Sequence, residues 1–323
     1  MTMLKALTKQ KKIILLTALV LLTVCLLYLL PQVNASNYQY FLNKRGTKII
    51  AILLTGFSIG VSALSFQTIT NNKLITPNVM GLESLYMFIQ TFIIFIWGSK
   101  ELSMMTSYTQ FFLSIGFMML ASWGLFNLVF KKENQDIYRL VLTGMVLGSL
   151  FGGLSSFMQV LLDPNEFTIL QGKMFASFNN VNVSLLGISC LLILPCSYVL
   201  IKDRHALNVL SLGRSSSINL GVNYYRLVKR QLMMSAVLIS ISTALVGPIT
   251  FLGILVVSLT RKLLNTYRHQ EMMIEVTLLS GTFLLAATYL VERVFSFNTT
   301  VSVIINFIGG VYFIYLIIKE RQK

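Results

Sequence analysis

The chain has 323 residues, of which 55% are apolar and 11% charged, with a formal net charge of +15 and a mean hydropathy of +0.75. A soluble domain carries about 25% charged residues, so this composition excludes an ordinary water-soluble fold. The excess Lys and Arg sit at the ends of apolar runs, where they orient helices and meet anionic headgroups, so nucleic acid is not the expected partner.

Apolar runs long enough to cross a hydrocarbon core of about 30 Å recur from end to end. Backbone polar groups in lipid must be satisfied within a segment, and the runs lack the alternation of barrel strands, so they are predicted to be helices. The first, Ile13 to Leu30, follows Lys5, Lys9, Lys11 and Lys12. A basic start of this kind is shared by signal peptides, with Asn34-Ala35-Ser36 as a poor cleavage site. The unbroken run and the spans behind it favour a retained helix. Further spans are predicted at Lys48–Gln67, Gly81–Trp97, Phe111–Phe130, Tyr138–Leu162, Val181–Ile201, Leu232–Gly247, Thr250–Leu264, Met272–Val291 and Val301–Ile318. The Thr250–Leu264 span is short and follows Gly247-Pro248. Ten crossings make residues 1–323 one all-α transmembrane domain with both termini in the cytoplasm.

Charge placement agrees with that topology. Inside segments hold twenty Lys and Arg and outside segments six, namely Lys44, Arg45, Lys48, Lys100, Lys173 and Arg293. Lys44, Arg45 and Lys48 crowd one outer helix end against the rule. The stretch from Lys202 to Arg230 is too polar to span and too long for a simple connection, so it is expected to be a cytoplasmic docking surface. Gly213 and Gly221 there permit the turns of two short helices. The fifth span carries Gly144, Gly148, Gly152 and Gly153 beside Ser149, Ser155 and Ser156. Such residues serve close helix packing or a smooth pathway wall.

Catalytic chemistry is missing. His205 and His269 adjoin basic residues at predicted cytoplasmic edges and are expected to be solvated, and Cys25, Cys190 and Cys196 read as small apolar residues within spans. No phosphate-binding GxxxxGK[ST] loop, GxSxG, HExxH or paired-carboxylate motif occurs, so no catalytic residue, metal or cofactor is expected. Glu83 and Glu275 are placed near the inner interface, where snorkelling suffices. A pathway without relayed charge needs another subunit to drive it.

Two motifs give this reading a family. Gln67 to Gly81 is similar to the pattern Gln, then Asn-Pro-Leu-Ala-x-Pro-x-x-Leu-Gly, matching at Gln67, Asn72, Leu74, Pro77 and Gly81, with Lys73 and Met80 as departures. Gly247 to Arg261 resembles Gly-Pro-Ile-Gly-Phe-Val-Gly-Leu-x-x-Pro-His-x-x-Arg, matching at Gly247, Pro248, Ile249, Phe251, Gly253 and Arg261; Thr250 departs, and Val257-Ser258 replaces Pro-His. With Leu212-Gly213 and Leu220-Gly221-Val222, these segments make the chain resemble the permease subunits of ABC importers for iron–siderophores and cobalamin. The resemblance implies ten helices, a dimer around a central route, a cytoplasmic ATPase dimer and an extracytoplasmic binding protein in a bacterial plasma membrane. It places Leu212, Gly213, Leu220 and Gly221 at the ATPase contact. Arg45, Lys48 and Arg293 fall at the binding-protein contact, where Lys48 departs from the usual Arg. Pathway and gate candidates are Gln67, Asn72, Pro77, Gly81, Gly144, Gly148, Gly152, Gly247 and Pro248. The stretches Thr76 to Thr91 and Met174 to Leu186 are nearer to permeases for petrobactin- and anguibactin-type siderophores, which implies a heterodimer with a second permease. The alternatives are cobalamin or haem as solute, or an ion-coupled carrier.

Overall fold

A computed structural model describes residues 2–30, 38–104, 106–129, 137–179 and 181–321; the Asn34-Ala35-Ser36 segment lies outside them. The described residues form thirteen α-helices: α1 (Thr2–Leu29), α2 (Tyr38–Ile69), α3 (Leu82–Met104), α4 (Ser107–Val129), α5 (Ile137–Leu161), α6 (Pro164–Met174), α7 (Val183–Lys202), α8 (Arg204–Leu210), α9 (Arg214–Asn219), α10 (Tyr224–Val246), α11 (Leu252–Leu264), α12 (His269–Arg293) and α13 (Val301–Arg321). A single 3₁₀ turn, Pro77–Met80, precedes α3.

Among the described residues, seven helices are long and apolar enough to cross a membrane, against the ten expected. They are α1, α2, α4, α5, α7, α12 and α13. The three remaining predicted spans differ for physical reasons. The apolar part of α3, Leu82–Gly98, extends only about 25 Å, and Gly98 leaves helical geometry with φ 77° and ψ 167°. The first turns of α10 carry Arg226, Lys229 and Arg230. At 13 residues, α11 reaches about 20 Å, short of the hydrocarbon thickness.

Helix α2 is the centre of the packing. Of its most apolar window 72% is buried, compared with 11% for α1, which lies on the outside of the bundle against α12 and α2. α10 and α12 flank α2; α3 packs on α5, α4 on α10, and α13 on α11 and α12. Between apolar helices in lipid there is no hydrophobic driving force, so close backbone approach must hold them together. At Gly56 of α2, a Cβ would come within 3.2 Å of the Ser280 and Gly281 backbone of α12. Ser62 of α2 donates to the Ser235 carbonyl of α10 at 3.4 Å.

Candidate functional site

The two motif segments meet inside the bundle. The chain leaves α2 through Asn72, whose Oδ1 accepts from Leu74 N at 2.9 Å, an Asx turn that starts the reversal. Pro77 opens the 3₁₀ turn, where a missing N–H costs nothing, and Gly81 closes it at φ 79°. A side chain at Gly81 would be strained by that angle, and its Cβ would lie 2.4 Å from Gly148 Cα. Across the contact, a Cβ at Gly144 would lie 2.9 Å from that of Met80. Gly144 and Gly148 thus let α5 rest on the turn. Gly152 lies one helical turn beyond, its nearest neighbour being Ser84 Oγ at 4.0 Å.

Asn78 in the turn ties this segment to the other motif. Its Nδ2 donates to Glu83 Oε1 at 2.6 Å and to the Ile249 carbonyl at 3.1 Å, while Thr250 Oγ1 donates to Glu83 Oε2 at 2.7 Å. Both carboxylate oxygens of Glu83 are therefore engaged at the start of α3, where the helix dipole favours an anion. Snorkelling is corrected here: Glu83 finds its partners in the turn before α3 and in the segment before α11. Glu275 is corrected likewise. It is fully buried, with Oε2 accepting from Thr17 of α1 at 2.9 Å, because α1 packs over this part of α12.

Gly247 and Pro248 are buried at the end of α10. Gly247 has φ 101°, and a Cβ there would approach Ala176 Cα to 3.0 Å and the Phe175 carbonyl to 3.1 Å. The loop after α6 is held in this position by Ser177 N donating to the Val246 carbonyl at 2.8 Å and Ala176 N to Ser302 Oγ at 3.1 Å. Irregular backbone at this depth is tolerated because protein covers it. Gln67, two residues before the end of α2, is 2% exposed, and neither Nε2 nor Oε1 finds a hydrogen-bond partner among the described residues. Thr250, the departure from the glycine of the motif, supplies the hydroxyl that reaches Glu83.

The three basic docking candidates have unlike settings. Arg45 is 9% exposed, and its Nη1 donates to the Leu29 carbonyl at 2.6 Å. Lys48 Nζ lies 2.7 Å from Glu292 Oε1 and 2.9 Å from Asn179 Oδ1, and Tyr28 OH donates to the same Glu292 oxygen at 3.0 Å. Arg293 is exposed. In α6, Lys173 donates to Gln110 Oε1 at 3.2 Å, and burial holds its amine below the ordinary lysine value.

The Lys202–Arg230 stretch forms α8, α9 and the start of α10. Gly213 stands at the start of α9 with φ 94°, and Gly221 just past its end with φ 81°. Leu212 and Leu220 are each 62% exposed on this unit. Asp203 anchors it by pairing with Arg230 and accepting from Gln231 Nε2 at 2.9 Å.

His269 sits behind α8. It is 1% exposed rather than solvated, because α8 folds back over the start of α12. Its Nδ1 lies 2.8 Å from Asn208 Oδ1 of α8, and its Nε2 lies 2.8 Å from Thr68 Oγ1 of α2. His205, one turn before Asn208, is exposed. Asn78, Asn208 and His269 were invisible to motif reasoning. The one signal was a carboxylate, Glu83, two residues beyond a motif glycine in an apolar run.

Among the described residues, seven helices able to span, with a polar knot linking the segments before α3 and α11 and an exposed helical pair at α8 and α9, define a multi-span membrane protein. The chain belongs to the FecCD transport family, which matches residues 6–319. It is 47% identical over 315 residues to the petrobactin import system permease protein YclO of Bacillus subtilis (strain 168), covering 97% of this chain and 99% of that one. It is 32% identical to the petrobactin import system permease protein FatC of Bacillus anthracis, over 90% and 82% of the two chains. A solved chain described as an inward-facing conformation of a metal-chelate type ABC transporter superposes with a TM-score of 0.82 at 25% identity, covering 96% of this chain and 99% of the other.

Proposed function

We propose that the chain is the permease subunit of an ATP-binding-cassette importer that carries ferric siderophores of the petrobactin type across a bacterial plasma membrane. The observation that carries this reading is the 47% identity to a petrobactin permease along essentially the whole of both chains. Ten crossings with both termini in the cytoplasm follow when α3, α10 and α11 each cross beside the seven longer spans, with their neighbours covering the ends. Energy comes from a separate ATPase dimer seated on α8 and α9 through Leu212, Gly213, Leu220 and Gly221. A binding protein delivers the solute at the outer end, where Arg293 offers an exposed cation to an acidic docking face and Arg45 and Lys48 shape the surface beneath. A second, related permease completes the route, so the working unit is a heterodimer. The node of Asn78, Glu83 and Thr250, with Gln67, Asn72, Pro77, Gly81, Gly247 and Pro248 around it, joins the beginnings of α3 and α11 and is the gate. Helix α5 lines the way beside it with Gly152.

The test is uptake of iron-labelled ferric petrobactin by iron-starved cells. Deletion of the chain abolishes uptake and wild type restores it. Indifference to the deletion, in cells without a redundant importer, refutes the petrobactin reading. Parallel assays with cobalamin and haem then decide between the remaining solutes.

A further inference from the structure

A large cleft lies away from the Asn78, Glu83 and Thr250 node. It has a volume of about 720 Å³ and opens between α1, α8 and the start of α12, on the outside of the bundle. Its walls include Ile14, Leu15 and Ile274, and its rim carries Lys11, Arg204 and Arg268. Leu15 is 63% exposed and Ile274 45% exposed, so an apolar surface in the cleft has no protein cover among the described residues. The one carboxylate lining the cleft, Glu271, lies 3.6 Å from Arg268 and offsets a single charge. Three cations thus share the cleft with exposed apolar side chains.

We propose that this cleft is a binding site for an anionic phospholipid of the cytoplasmic leaflet. The phosphate sits among Lys11, Arg204 and Arg268, and an acyl chain lies along α1 past Leu15. A soluble anion would leave the apolar wall wet. A zwitterionic lipid would bring its own cation to the basic rim. Basic pockets between helices on the cytoplasmic side take anionic headgroups for this reason, each cation near the surface contributing about fivefold to binding. The bound lipid touches α8 directly, since Asn208 lines the cleft while also holding His269.

The experiment uses the purified complex with whatever subunits accompany the chain, reconstituted in phosphatidylcholine nanodiscs. It is titrated with a photoactivatable phosphatidylglycerol or with the matching phosphatidylcholine probe. Phosphatidylglycerol is expected to label peptides of α1 and α8 at concentrations at least about tenfold below phosphatidylcholine. The variant Lys11→Ala/Arg204→Ala/Arg268→Ala loses that preference. Ala18→Trp, which fills the apolar wall without touching a charge, weakens labelling by both probes. Free phosphate at millimolar concentration leaves labelling unchanged. Equal labelling by the two probes overturns the proposal, as does labelling confined to other helices. Full displacement by phosphate overturns it too, by showing a soluble-anion site. Should the triple variant fail to fold, the wild-type comparison of the two probes and Ala18→Trp still decide the matter.

Discussion

Lys48 illustrates how a residue's neighbours redefine its role. By position it belongs to a set of outer cations waiting for an acidic partner protein. Its amine also lies against Glu292 and Asn179, with the Lys48 and Glu292 side chains only 11% and 15% exposed. Removing the cation would strand Glu292 with Tyr28 as its remaining donor. Lys48→Met is therefore expected to destabilise the protein by about 2 kcal/mol, and adding Glu292→Gln to recover most of the loss. Thermal melts of the purified protein in one detergent check this; unchanged melting in the single variant would show that the pair is not structural. Arg293→Glu, at an exposed position, should leave melting unchanged and weaken association with the binding protein.

At the scale of elements, α8 packs directly on α2 and on the start of α12, and one side chain supplies a polar link among the three. Asn208 Oδ1 can only accept, and it receives both the backbone N–H and Nδ1 of His269 at 2.8 Å. That assigns the ring proton to Nδ1 and leaves Nε2 to meet Thr68 Oγ1. α8 is thereby linked by hydrogen bonds to the end of α2, one residue from Gln67 and four from Asn72. His269→Ala is expected to leave basal ATP hydrolysis of the complex intact and to lower its stimulation by solute-loaded binding protein several-fold. Hydrolysis measured in nanodiscs with and without binding protein checks this. Full stimulation in the variant would mean that α8 and α2 communicate by another route.

For the molecule as a whole, the exposed apolar surface is divided between what lipid covers and what it cannot. Leu212, Ile218 and Leu220 lie on a polar segment outside the predicted spans, exposed by 62%, 46% and 62%. Large apolar side chains grouped in this way mark an interface. Leu212→Asp with Leu220→Asp removes nothing from the core, so expression and melting should stay within about 0.5 kcal/mol of wild type. Co-purification of the ATPase subunit and siderophore uptake should both fall at least about tenfold, as expected when apolar anchors at the centre of an interface are lost. Retention of the ATPase by this variant would move its seat elsewhere on the cytoplasmic face.

By itself, the sequence determined that the chain is helical and lives in a membrane, and it supplied both motif segments and the two-helix docking stretch. Those properties rest on local rules: apolar run length, charges at run ends, and glycine or proline where the backbone must turn. Tertiary structure decided the rest. It joined Lys48 to Glu292 across 244 residues and Thr68 to His269 across 201, distances over which no sequence pattern speaks. It also gave Glu83 its partners, Asn78 and Thr250, and reduced the self-sufficient spans to seven among the described residues. The physical reason is common to all of these. In lipid, helices choose partners by backbone approach at small residues such as Gly56, Gly81 and Gly148, and that choice brings together polar groups which then satisfy one another because water cannot.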